Sequence, residues 1–171
     1  MKNKDSLVSG IGNYKEVIKY YDNWSNKYDY TLKKWNYRAP KKASFLLKKI
    51  LTVKPFNLLD LACGTGLFGL EIRKAFPFIK IDGIDISKKI IEEAKLKNIY
   101  ENLIICDFDK MLLQKKKYDL VSCIGALTYT RDPKKLFLKI NKITNKSGHF
   151  IFTHRNDLWQ KQDYENLLIS L

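Results

Sequence analysis

The stretch Asp60-Leu61-Ala62-Cys63-Gly64-Thr65-Gly66-Leu67-Phe68-Gly69 restricts the fold more than any other part of the chain. An apolar run, Asn57–Ala62, leads into glycines spaced as G-x-G-x-x-G and then into an amphipathic run, Leu67–Ala75. This pattern predicts a β-strand that turns tightly into an α-helix. Glycines let the backbone bend sharply and let a ligand approach it. The N-terminus of the helix beyond offers free N–H groups and partial positive charge, suited to a carboxylate or phosphate. The glycine spacing alone is a weak signal, because glycine turns are common, so its surroundings decide what it means.

Beyond Pro55 short apolar runs alternate with amphipathic ones. Further strands are expected at Lys80–Ile86, Leu103–Cys106, Tyr118–Ile124 and His149–His154. Helices are expected at Ser87–Lys97, with Ser87 as N-cap, and at Pro133–Asn145, ended by the turn residues Lys146-Ser147-Gly148. The alternation predicts an α/β fold, a doubly wound and mostly parallel sheet of about five strands with helices on both faces. After the fifth strand, Leu158, Trp159, Leu167, Leu168 and Leu171 suggest one more helix.

The segment before Pro55 has a different rhythm. Tyr14, Val17, Ile18, Tyr21, Trp24 and Tyr28 recur at spacings of three and four, as on one helix face. A second helix is expected from Ala39 to Leu51, with Pro40 in its first turn, and Asp29 to Tyr37 reads as a linker or broken helix. Residues 1–54 are therefore read as a helical lid segment and residues 55–171 as the core of a single domain.

Composition narrows the classes. At 171 residues and 45% hydrophobic content, the chain can bury a sizeable core. No apolar run is long enough for a membrane span, and no apolar stretch follows the basic start to make a secretory signal. Cys63, Cys106 and Cys123 are sparse and odd in number, which fits reduced thiols in a cytoplasm better than disulfides or zinc. The formal charge of +14 invites a nucleic-acid partner. Only four of the 32 basic residues are arginines, however, and a general bias toward Lys, Ile and Asn explains the charge as well.

Three acids give the glycine turn its context. Asp85 ends the second strand 19 residues beyond Gly66, where a carboxylate can accept from both hydroxyls of a ribose. Asp107 follows the third strand, in place to accept from an adenine amino group. Asp60 lies in an apolar strand, where an unpaired carboxylate would cost several kcal/mol; it is expected to accept from the glycine-loop amides or to contact the ligand. The plainer readings are that Asp85 caps a helix and Asp107 sits in a turn. Acids gathered on one sheet edge of a basic chain suggest a ligand carrying positive charge.

Together Asp60-Leu61-Ala62-Cys63-Gly64-Thr65-Gly66, Gly83-Ile84-Asp85-Ile86-Ser87 and Asp107-Phe108 resemble the class I S-adenosylmethionine-dependent methyltransferases, over about Asn57 to His154. The acid four residues before the first glycine sets the motif apart from dinucleotide enzymes, whose first strand is usually wholly apolar. Tyr21-Asp22-Asn23-Trp24-Ser25-Asn26-Lys27-Tyr28-Asp29 and Tyr37-Arg38-Ala39-Pro40 resemble the lid of small-molecule methyltransferases, most like the Williams–Beuren-region methyltransferase-like group. The resemblance implies a Rossmann-like fold, S-adenosylmethionine as cofactor and a small-molecule methyl acceptor. It implies that Ala62, Gly64 and Gly66 line the cofactor, the glycines along its methionyl part. Asp85 would hold the ribose and Ile86 would pack beside the adenine. Asp107 would accept from N6, Phe108 would flank the ring, and Ile124 would touch the sulfonium region. Tyr28 and Tyr37 would close over the methionyl carboxylate, their plain alternative being helix packing.

Two departures from the family pattern bear on function. The usual antiparallel hairpin after the fifth strand has no counterpart in Arg155–Leu171, which leaves that strand as an edge: either the chain is a fragment, or a second copy or a partner covers the edge, or the reduced sheet is tolerated. The residues after the fourth strand, Gly125-Ala126-Leu127-Thr128-Tyr129, lack the Asn-Pro-Pro-Tyr-like motif of enzymes that methylate amino groups of nucleic acids and proteins. Methyl transfer from a sulfonium is an in-line displacement that depends mainly on positioning and water exclusion. His154 is the one histidine at the ligand edge and a weak candidate for a base. Three other readings remain beside a small-molecule methyltransferase. One is an RNA methyltransferase that stacks bases on the eight aromatics between Tyr14 and Tyr37, another is a non-catalytic partner subunit, and the last is a nicotinamide-dependent oxidoreductase.

Overall fold

The computed structural model describes residues 13–112, 116–161 and 163–171. Its elements run α1 (Tyr14–Lys34), α2 (Ala39–Ile50), β1 (Asn57–Leu61), α3 (Leu67–Ala75), β2 (Lys80–Asp85), α4 (Lys88–Lys95) and β3 (Asn102–Ile105). They continue with β4 (Tyr118–Cys123), a short 3-10 turn at Leu127–Tyr129, α5 (Pro133–Ile143), β5 (Thr144–Phe152), α6 (Asn156–Trp159) and α7 (Tyr164–Ile169).

The five strands form one sheet in the order β3-β2-β1-β4-β5, and all four neighbouring pairs are parallel. Helices cover both faces. On one, Leu47 of α2 and Phe68 and Ile72 of α3 pack against Leu58, Ile81 and Leu120. On the other, Leu136, Phe137 and Ile140 of α5 and Tyr164 of α7 pack against Leu59, Leu61, Ile84 and Val121. The strand order reverses between β1 and β4, and open α/β sheets bind ligands in the crevice at such a switch point.

Four sequence expectations are corrected. The stretch Asp29 to Tyr37 is not a linker: α1 continues to Lys34, because no glycine or proline interrupts it and Thr31 Oγ1 donates back to Lys27 O at 2.7 Å. The turn comes only at Asn36, whose φ is 54°. The helix expected to end at Asn145 stops at Ile143. Lys146-Ser147-Gly148 then lie within β5, in a bulge where the six residues from Thr144 to His149 face the three from Tyr118 to Leu120 on β4. The C-terminal part forms two short helices, with Trp159 stacked on Phe152 and Tyr164 fully buried. Among the described residues no strand but β4 pairs with β5, and no helix is long and apolar enough to cross a membrane.

Candidate cofactor and acceptor site

The turn after β1 is built on left-handed backbone. Ala62, Gly64 and Gly66 have φ of 51°, 57° and 90°. Only glycine adopts such angles freely, so Ala62 is the strained member. Cys63 N–H donates to Ile84 O at 2.9 Å, which carries the β1–β2 ladder into the turn. Gly64 N–H is thereby presented to Asp85 Oδ2 at 2.9 Å, while Asp85 Oδ1 accepts from Ser87 N–H at 3.0 Å. Asp85 thus ties the glycine loop to the first turn of α4. Burial pushes its carboxyl up to about 6, against the pull of those amides.

Helix α1 lies over this junction and is fastened at two points. Ser87 Oγ donates to Asp22 Oδ1 at 2.5 Å, and also accepts from Ile90 N–H at 3.2 Å as the N-cap of α4. About two turns further along, Asp29 accepts from Thr65 Oγ1 at 2.5 Å and pairs with Lys97 at 2.8 Å. Both anchors come from the segment that resembled a lid.

Between α1 and the carboxyl ends of β1, β2 and β4 a cleft encloses about 740 Å³ of space open to solvent. Eight of the residues expected at the cofactor line it: Tyr28, Ala62, Gly64, Asp85, Ile86, Asp107, Phe108 and Ile124. Tyr37 and Asp60 border a smaller cavity of about 330 Å³, joined to the first by Tyr28, Ala62, Gly64 and Ile124. Gly66 lines neither; its place is sterically set, since a Cβ there would lie 3.0 Å from the Tyr100 ring. His154 lines neither cavity either: its Nδ1 is 3.0 Å from Arg155 O and its ring packs 4.3 Å from that of Tyr164.

Asp60 does not accept from the loop amides. Tyr100 donates to its Oδ2 at 2.9 Å and Ser122 to its Oδ1 at 2.7 Å, so the buried carboxylate ties β4 and the segment before β3 to β1. Burial still raises it to about 6. The Tyr100 ring also fills the space beneath Gly66, Gly69 and Gly83, which makes it a main support of the loop that sequence reasoning missed.

Other missed residues line the cleft. Tyr14, Val17 and Tyr21 face it from α1, and their helical spacing with Tyr28 was the available signal. Tyr129 reaches in from the 3-10 turn, its hydroxyl 3.3 Å from that of Tyr21. Gly125, with φ of 85°, keeps room for the Tyr37 hydroxyl, which a Cβ would meet at 2.7 Å. At the far end Arg131 pairs with Asp107 at 2.6 Å and Asp109 at 3.1 Å; nothing in the sequence marked it. Burial pushes the phenols of Tyr21 and Tyr28 well up, so both hydroxyls stay neutral donors at ordinary pH.

A methyltransferase domain family model matches residues 53–168. The chain belongs to that family. It is 30% identical over 166 residues to human methyltransferase-like protein 27, covering 95% of this chain and 67% of that protein. It is 34% identical over 105 residues to a malonyl-[acyl-carrier protein] O-methyltransferase of Ilyobacter polytropus, covering 58% of this chain and 38% of the relative. Among solved structures it matches an S-adenosylmethionine-dependent methyltransferase of Clostridium acetobutylicum with a TM-score of 0.66 and 25% identity, over 84% of this chain and 61% of the other. The plantazolicin methyltransferase BpumL in complex with S-adenosylhomocysteine aligns with a TM-score of 0.59 over 86% of this chain and 55% of that one; at 23% identity the likeness is one of fold. The chain thus has the Rossmann-like class I fold of S-adenosylmethionine-dependent methyltransferases, with S-adenosylmethionine as the family's methyl donor.

Proposed function

We propose that this chain binds S-adenosylmethionine in the double cleft and transfers its methyl group to a small-molecule acceptor in the cytoplasm. The observation that carries this is the Asp85 carboxylate, held by Gly64 N–H and Ser87 N–H at the bottom of a largely apolar cleft at the sheet's switch point. The residues present fit the cofactor: carboxylates and apolar side chains together line the larger cavity, as a nucleoside requires, and the smaller one beside Gly64 leaves room for its amino-acid tail. When bound, S-adenosylmethionine supplies a methyl group already activated on a sulfonium.

Asp85 would accept from the ribose, Ile86 and Phe108 would sandwich the base and Asp107 would accept from its amino group. Tyr28 and Tyr37 would close over the tail, with Ala62, Gly64 and Ile124 between the two parts. Gly66 and Asp60 would act from beneath, by shaping the loop. The lid role of residues 1–54 belongs to the same reading: α1 roofs the cleft and excludes water. The three acids and the arginine that line the larger cavity are engaged with one another or with amides, and no histidine lines it. The chain's residues would therefore act by positioning an acceptor rather than by taking its proton.

A small acceptor is favoured by the tyrosine wall of the cleft and, among the described lining residues, by the lack of an unpaired cation for a phosphate backbone to hold. Tyr20, Tyr21, Trp24 and Tyr28 also pack on one another instead of presenting free faces to bases. A second copy or partner chain is the further reading, favoured by the unpaired outer edge of β5.

Calorimetric titration with S-adenosylhomocysteine tests the proposal. The wild-type protein is expected to bind, and Asp85→Ala to lose at least about tenfold in affinity, since it strands two amides as well as the ribose contact. A folded wild-type protein that gives no heat overturns it.

A further inference from the structure

We propose that Arg131 sets the base selectivity of the nucleoside site, as a positioning residue that acts through Asp107. This rests on the reading above that Asp107 faces the amino group of the adenine.

Asp107 and Asp109 stand two residues apart beyond β3, and both line the larger cavity. Their carboxylates are joined by one guanidinium: Arg131 Nη2 lies 2.6 Å from Asp107 Oδ2 and Arg131 Nε lies 3.1 Å from Asp109 Oδ2. Asp109 is fixed in turn by Thr130 Oγ1 at 2.6 Å and by Arg131 N–H at 2.9 Å. Asp107 Oδ1 accepts from Asp109 N–H at 3.0 Å. The guanidinium is capped on its other side by the Tyr14 ring of α1, 5.8 Å away. This is a two-point fork, which only a planar arginine provides.

The consequence is chemical. Two neighbouring carboxylates repel each other unless a cation stands between them. Arg131 joins the pair and holds Asp107 in one orientation, each of its oxygens engaged once and with a lone pair left over. The oxygens of a carboxylate so held only accept hydrogen bonds. An acceptor there matches the 6-amino group of adenine and opposes the carbonyl of a 6-oxo purine.

The test is isothermal titration of S-adenosylhomocysteine and its 6-oxo analogue, S-inosylhomocysteine, into the wild-type protein, Arg131→Met and Arg131→Lys. The wild type is expected to prefer the adenosyl compound by about tenfold or more. Arg131→Met, which keeps the stem but not the charge, should bring that ratio to within about threefold; Arg131→Lys should also narrow it, because one ammonium does not span both acids. If Arg131→Met fails to melt cooperatively, the ratio for Arg131→Lys decides. A wild type that binds neither compound overturns the cofactor reading itself. A wild type that binds both equally leaves that reading standing and removes Asp107 as the reader of the base. Variants that weaken both compounds alike and keep the wild-type ratio show Arg131 to be structural only, which overturns the proposal.

Discussion

The two ends of the large cleft are made of different materials. At one end Asp107, Asp109, Thr130 and Arg131 form a closed set of charged and hydroxyl partners at 2.6 to 3.1 Å. At the other, Tyr21, Tyr28, Trp24 and Tyr129 meet edge to face or tilted, and their one mutual hydrogen bond is 3.3 Å long. Ionic hydrogen bonds fix direction, whereas ring contacts fix shape and allow sliding. A site that must hold an unchanging nucleoside and admit an acceptor of its own needs one end of each kind.

The largest expected effect lies at the charged end. Asp109→Ala strands Thr130 Oγ1 and Arg131 N–H and leaves the guanidinium with Asp107 alone, and should lower stability by about 2–3 kcal/mol in denaturant titration. Unchanged stability would mean that this end is no more rigid than the other, and the contrast would collapse.

Next comes pH. The Asp85 carboxyl is raised from 3.8 to about 6 by burial, so between roughly pH 4 and 6 the folded protein holds a proton that the unfolded chain has released. Its contribution to stability therefore falls as pH rises through that window. A ribose needs the ionised acceptor, so affinity for S-adenosylhomocysteine should rise up to about tenfold from pH 5 to 7. The tyrosine end should add no pH dependence below about pH 9, since burial holds Tyr21 and Tyr28 protonated. A flat binding profile across pH 5 to 7 would remove Asp85 from the nucleoside contact.

The smallest effect is expected from Tyr21→Phe, which deletes only the 3.3 Å contact to Tyr129. It should cost less than about 1 kcal/mol in thermal melts and leave S-adenosylhomocysteine affinity within about twofold. A loss as large as that of Asp109→Ala would show that the aromatic end is held by its hydroxyls and not by its rings.

What was legible in the sequence is what is local in it. The glycine turn, Asp85 at a strand end and Ser87 as a cap are each decided by a few neighbouring residues, and the structure has them there. Asp107 and Phe108 stand by the cleft for the same reason. Asp60 was recognised as a carboxylate needing partners, but Tyr100 and Ser122 are 40 and 62 residues away, and no spacing rule links them. Arg131 was invisible because its role depends on the segments after β3 and after β4 meeting at the carboxyl end of the sheet, although β2 and β1 lie between those strands. The extent of α1 was misread because Asp29 to Tyr37 is rich in polar and aromatic residues of middling helix propensity, while its docking on α4 and the glycine loop decides the matter. The β5 bulge is likewise a product of pairing with β4.

Ser87 serves two masters: the same hydroxyl caps α4 and is gripped by Asp22 of α1. The roof and the first turn of α4 therefore hang on one oxygen atom, and the N–H of that same residue steadies Asp85. A substitution that removes the hydroxyl loosens the covering helix and the floor of the chamber at a single stroke.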